Sequence, residues 1–217
     1  MSLEIIHTQE VNGWSLRQRT PAGNGPHPMI VMLHGWTGDE NAMWIFASRL
    51  PEGSLLLSLR GLFTTPLGGY GWHPHKGTIW PWIGDFKPTM EALLGLLTPS
   101  NFANVDWSRM SLVGFSQGAA LAFTFALSYP GKVFSMAGLS GFLPDGAESL
   151  TSGEPLEGMH VFMAHGTFDE LVPVQRARAA VKMLGQAGAQ VAYCEDDVGH
   201  KLSASCFRGM QVFFKRS

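Results

Sequence analysis

The sequence predicts one α/β domain, a mostly parallel sheet with helices on both faces, and three observations carry that expectation. The chain has 217 residues, a length that one sheet with flanking helices commonly reaches before a second core becomes favourable. Short, continuous apolar runs alternate along it with longer helix-compatible stretches, as a parallel sheet covered on both faces requires. Apolar residues make up 45% and charged residues 15%, enough to build a large core and too few charges for a disordered chain. Residues 1–217 are therefore expected to form a single domain.

The elements follow in order. Residues 3–20 supply one or two antiparallel edge strands, although their alternation is irregular. Six runs read as strands buried on both faces: 29–35, 54–61, 110–116, 133–141, 159–166 and 190–195. Each ends in glycine, serine or a polar residue. Helices are expected over 39–50, 89–97, 117–129, 173–185 and 202–215, the third ended by Pro130. Residues 62–88 are rich in Gly, Pro and Trp and follow no clear period, which marks a long ordered loop. Loops of this kind are usually functional, so 62–88 is a candidate lid or pocket wall.

Charge and composition exclude several function classes. With a formal charge of -2 and no dense Lys/Arg run, the chain lacks the electrostatic footprint of a nucleic-acid partner. No apolar stretch reaches the roughly 18 residues of a membrane span. The amino-terminal segment lacks the basic region and apolar run of a secretory signal, so a cytoplasmic location is expected. Cys194 and Cys206 are the only cysteines, too few for a disulfide framework, and are expected to be free structural thiols.

The strongest local signal is GFSQG at 114–118, between an apolar strand and an apolar helix. This is the setting of a nucleophile elbow: a strained strand-to-helix turn presents Ser116 above the sheet, and side chains at the flanking glycine positions would collide. The helix start also brings unpaired N–H groups to Ser116. The motif narrows the fold class to the α/β-hydrolase fold.

A serine hydroxyl needs a base, and in this fold the acid and then the histidine follow the serine on loops after later strands. His160 and His165 fall in or before the acid's strand and read as structural. His200, in the loop before the last helix, is the expected base. Asp169, three residues past Gly166, is the expected orienting acid, with Asp145 the serious alternative. Glu170 is adjacent but is expected to point elsewhere, and Asp196 and Asp197 read as solvated loop charges. The oxyanion donors are expected to be the backbone N–H groups of Gln117 and of Trp36, in the loop after the first core strand.

Taken together, LHGWTGDEN, GFSQG, HGTFDELVP and VGH resemble the carboxylesterase/phospholipase family, which includes bacterial carboxylesterases and acyl-protein thioesterases. The resemblance spans nearly the whole domain and implies the same triad, Ser116, Asp169 and His200, with Trp36 and Gln117 at the oxyanion hole. The chain departs from the thioesterase branch's shorter H-G-x-G-D stretch by inserting Thr37. Trp72, Trp80 and Trp82 of the 62–88 loop, with Phe142 and Leu171, are expected to line the substrate pocket; simple packing of the tryptophans onto the body is the competing reading.

The expected activity is hydrolysis of small to medium acyl esters through an acyl-enzyme, with thioesterase or lysophospholipase activity as the alternative and no cofactor. A non-catalytic ligand-binding protein on the same fold is the alternative from another class. His73 and His75 form one H-x-H spacing without an evident third ligand, so no metal is expected. A homodimer is suggested only by the long Trp-rich loop.

Overall fold

The computed structural model describes residues 5–216; Leu3 and Glu4, where the first edge strand was expected to begin, lie outside the described residues. Eight strands form one sheet in the order β1 (Ile5–Val11), β2 (Trp14–Thr20), β4 (Leu55–Leu59), β3 (His27–Leu33), β7 (Val105–Phe115), β8 (Ser135–Leu139), β9 (His160–Gly166) and β10 (Gln190–Asp196). The β1–β2 and β2–β4 pairs are antiparallel and the others parallel. All six expected strands are present and the amino-terminal edge is a hairpin, but β10, expected to be buried on both faces, has no fully buried residue because it is the strand at the opposite edge of the sheet. β7 starts at Val105, earlier than expected, because an irregularity in its pairing with β3 lets the polar stretch before Met110 extend the strand.

The strands alternate their side chains between two apolar layers. Met29, Val31 and Leu33 pack under α1 (Lys87–Leu96), α2 (Gln117–Ser128) and α3 (Val174–Gln186). Ile30 and Met32 face the 3-10 segment Ala42–Arg49 and α4 (Ala204–Arg216). The segment expected as a helix over 39–50 is thus a shorter 3-10 turn. The 62–88 stretch is also more ordered than a loop. It contains the small hairpin β5 (Phe63–Thr64) and β6 (Tyr70–Gly71), and its end is already helical from Ile83 onwards.

The chain runs outwards from β3 to β4 on one side and from β7 to β8 on the other. The carboxyl ends of β3 and β7 therefore meet at the point where the strand order reverses, the place where open α/β sheets leave a crevice for ligands.

One expectation is corrected here. Cys194, on β10, and Cys206, on α4, are joined in a disulfide, with Cα atoms 5.6 Å apart. The strand and helix are joined by a short loop and pack on each other, so the two residues come within bridging distance although they were read as separate thiols. The closed loop contains His200.

Candidate active site

Ser116 stands between β7 and α2 with φ 53° and ψ −116°, a backbone conformation that non-glycine residues rarely adopt. The flanking glycines permit it. A Cβ on Gly114 would lie 2.4 Å from backbone atoms of Gly118 and Ala119, and one on Gly118 would lie 2.1 Å from the Leu33 carbonyl oxygen. The start of α2 thus rests directly on the end of β3. The Ser116 N–H donates to the Leu139 carbonyl, while its own carbonyl accepts from Ala119 and Ala120.

Beyond β3 the chain turns through Gly35–Gly38, closed by the Gly38 N–H donating to the Gly35 carbonyl at 3.1 Å, with Thr37 at φ 68°. A positive φ at the third position is the mark of a type II turn, normally a glycine place, so the turn is held from outside. His34 is fully buried; the Gly61 N–H donates to its Nε2, and its Nδ1–H donates to the Gly35 carbonyl. Burial lowers its pKa and keeps it neutral, as this pattern of one acceptor and one donor nitrogen requires. The Trp72 indole N–H donates to the His34 carbonyl at 2.6 Å, and the Tyr70 N–H to the Gly38 carbonyl at 2.9 Å. Glu40, two residues on, accepts hydrogen bonds from Arg60 Nε and Nη2, and these bonds hold the carboxyl below its ordinary pKa. The β5–β6 stretch is therefore a brace for this turn. Among the described residues, neither the Trp36 nor the Gln117 N–H donates to a backbone acceptor; Gln117 follows Ser116 directly, and a Cβ on Gly35, the residue before Trp36, would lie 3.3 Å from the Ser116 Cβ.

Asp169 is buried just past β9. Its Oδ1 accepts the Leu171 and Val172 N–H groups at 3.0 and 2.8 Å, which leaves Oδ2 to accept the His200 Nδ1–H at 2.7 Å. The two loops lie so close that a Cβ on Gly166 would sit 2.1 Å from the Val198 carbonyl oxygen, and the Phe168 N–H donates to that carbonyl. Glycine in the HGTFD stretch is what lets the acid approach the histidine loop. The His200 ring packs 5.0 Å from that of Phe115, the residue before Ser116. Among the described residues no hydrogen bond joins the Ser116 hydroxyl to this ring, a contact that often tightens only with substrate.

The alternatives are placed elsewhere. Asp145 pairs with Arg176 at 3.1 Å, Asp196 accepts from Ser205, and Asp197 accepts from Thr167. His73 donates to the Pro74 carbonyl and accepts from the Gln117 amide, and His75 stacks on Trp36; no group of three potential metal ligands gathers among the described residues. No described helix is long and apolar enough to cross a membrane.

The supporting roles of three side chains went unread in the sequence. The Gln117 side chain accepts the Trp72 N–H and donates to His73, so it fastens the 72–73 segment to the elbow in addition to any role of its backbone. His165, read as structural, lies directly beside the acid: its Nε2 is 3.4 Å from Asp169 Oδ2 and donates to the Val172 carbonyl. Burial lowers its pKa and keeps it neutral. His34 braces the oxyanion turn. The available signal was position alone, since each lies within a residue or two of the carboxyl end of a parallel strand.

The expected pocket is partly corrected. Trp72 is fully buried in the core against Trp14 and His34, because its indole N–H has a backbone partner there. Trp80 and Phe142 pack edge to face at 5.0 Å. Trp82 lines a cavity of about 520 Å³ with Asp145 and Arg176 but with none of the triad residues, and Leu171 is exposed. A different cavity, of about 400 Å³, adjoins the site between the 35–38 turn, the 3-10 segment and the residues after His200.

Comparison with known proteins places the chain among relatives. The family model for phospholipases and carboxylesterases matches residues 83–216. The chain is 28% identical over 207 residues to acyl-protein thioesterase 1 of Eremothecium gossypii, covering 86% of each protein, and 31% identical over 108 residues, about half of each, to a carboxylesterase of Arabidopsis thaliana. Its fold matches the crystal structure of a Mesorhizobium loti carboxylesterase with TM-score 0.80 at 18% identity, covering 97% and 99% of the two chains. A Bacillus cereus carboxylesterase matches with TM-score 0.79 at 19% identity, covering 94% and 95%.

Proposed function

The chain belongs to the phospholipase/carboxylesterase family and is a hydrolase of ester bonds, and from that premise we propose that it cleaves small to medium acyl esters by double displacement at Ser116. His200 takes the serine proton as Oγ attacks the carbonyl carbon. Asp169 accepts the Nδ1–H, which fixes the tautomer and stabilises the imidazolium. The carbonyl oxygen, now negative, accepts from the Trp36 and Gln117 N–H groups. Collapse of the tetrahedral species expels the alcohol, which takes its proton from His200 and leaves the acyl group on Ser116. Water, deprotonated by the same imidazole, then attacks the acyl-enzyme, and release of the acid returns the proton to Ser116.

The observation that carries this reading is the 2.7 Å hydrogen bond from His200 Nδ1 to a buried Asp169 whose other oxygen is held by two backbone N–H groups. Two donors on one oxygen leave the second oxygen a single orientation, towards the histidine. Thioesters present the same carbonyl to the same groups, and the similarity to acyl-protein thioesterase 1 supports thioester hydrolysis as the second reading.

The test is Ser116→Ala. Hydrolysis of p-nitrophenyl acetate and labelling by a fluorophosphonate probe are both expected to disappear while the far-ultraviolet dichroism stays as in the wild type. Retained turnover would overturn the assignment of the nucleophile. Parallel rates on p-nitrophenyl esters and acyl-CoA compounds decide between ester and thioester.

A further inference from the structure

We propose that the apolar cavity between the oxyanion turn and the His200 loop binds the leaving-group half of the substrate, an alkyl or aryl alcohol, and not its acyl chain. The inference rests on the ester-hydrolase reading above and specifies which side of the scissile bond this cavity serves.

The chemistry sets the direction. The leaving oxygen must receive its proton from His200 as the intermediate collapses, so the group attached to it lies on the imidazole side of the serine. The cavity lies on that side. Phe115, whose ring packs 5.0 Å from His200, forms one wall, and Lys201 and Leu202, the two residues after His200, form another. Trp36, which carries an expected oxyanion donor, also lines it.

The lining also sets the ligand class. Phe46 is buried at the base and Phe207 of α4 packs on it at 5.5 Å, while Ala42 lies at the edge of the cavity. Lys201 is exposed at the rim, where its stem can cover apolar surface and its charge stays in water. A space of about 400 Å³ with this lining suits a single aromatic ring or a short alkyl chain. None of the residues expected from the sequence to form the pocket lines it.

Two ester series read the proposal: acetates of methyl, butyl and benzyl alcohol, and methyl esters of acetic, butanoic and octanoic acid, each followed by acid release. Ala42→Phe narrows the cavity and Phe207→Ala enlarges it, so the two variants are expected to act in opposite directions. For Ala42→Phe the ratio of kcat/KM for benzyl over methyl acetate should fall about tenfold or more, the range that a few apolar groups give in a pocket. Phe207→Ala should raise the preference for the bulkier alcohol. The methyl octanoate to methyl acetate ratio should stay within about twofold in both.

If the acyl series moves instead, or neither series moves, the cavity does not serve the leaving group, although the enzyme remains an esterase. If the wild type hydrolyses no ester and takes no fluorophosphonate label, the hydrolase assignment to Ser116 fails, and the cavity's role falls with it.

Discussion

Replacing Gly118 by alanine would set a Cβ 2.1 Å from the Leu33 carbonyl oxygen and 2.5 Å from that of His34. Ordinary contact for a Cβ begins near 3.4 Å, and both obstacles are backbone, so no side-chain rotation relieves the clash. The start of α2 must retreat from the end of β3 by about 1 Å, a misplacement that can cost about a hundredfold in rate. That movement separates the two expected oxyanion donors, since Gln117 travels with the helix and Trp36 stays with the braced turn. Loss of one such donor costs about 2.7–4 kcal/mol of transition-state stabilisation, so kcat on p-nitrophenyl acetate should fall about 10²–10³-fold. Overpacking of this kind also destabilises by about 1–3 kcal/mol, lowering the melting temperature by several degrees and leaving the protein folded at 25 °C. Steady-state kinetics beside a thermal melt separate the two effects. A Gly118→Ala enzyme that melts lower but keeps kcat within about threefold of the wild type would refute the argument that this contact aligns the donors.

Asp169→Asn should keep the fold and lose about 10⁴-fold in kcat at neutral pH, because an amide directed at His200 favours the wrong tautomer; activity within tenfold of wild type would exclude Asp169 as the orienting acid. Replacing Cys194 and Cys206 together by serine should lower unfolding free energy by about 3 kcal/mol for the short loop closed, read from guanidinium midpoints, with faster hydrogen exchange around His200. Equal midpoints and exchange would deny the bridge that role. His34 and His165 are buried with lowered pKa values, so the unfolded chain binds protons that the folded one refuses. Stability should therefore be full above the unfolded histidine pKa of about 6.5 and fall as the pH drops below it, by up to about 1.4 kcal/mol per pH unit for each histidine. His165→Gln should make denaturation midpoints between pH 7.5 and 5.5 less dependent on pH, and an unchanged slope would show that His165 titrates alike in both states.

Much of this was legible because it is written locally. The apolar runs that became β3, β4, β7, β8 and β9 can be read as strands since a strand buried on both faces needs only a continuous run of such residues. The elbow was legible for a similar reason: the steric conflict at Gly114 and Gly118 arises within five residues and their immediate strand. Chain order then singled out Asp169 and His200, because loops after successive parallel strands must emerge at the same edge of the sheet.

What could not be read lies between segments distant in sequence. Whether Trp72 faces a substrate or the core depends on the free carbonyl of His34, 38 residues earlier, taking its indole proton. Whether His165 is inert or holds the acid's surroundings depends on how the chain bends back after Gly166. The two thiols reach one another only because α4 returns across β10. By itself the sequence determined the strands, the elbow and the order of the three candidate groups, since these follow from local sterics and from the connection rules of parallel sheets. Tertiary structure alone decided the brace, the buried histidines, the disulfide and the cavity, because each needs a partner that only packing supplies.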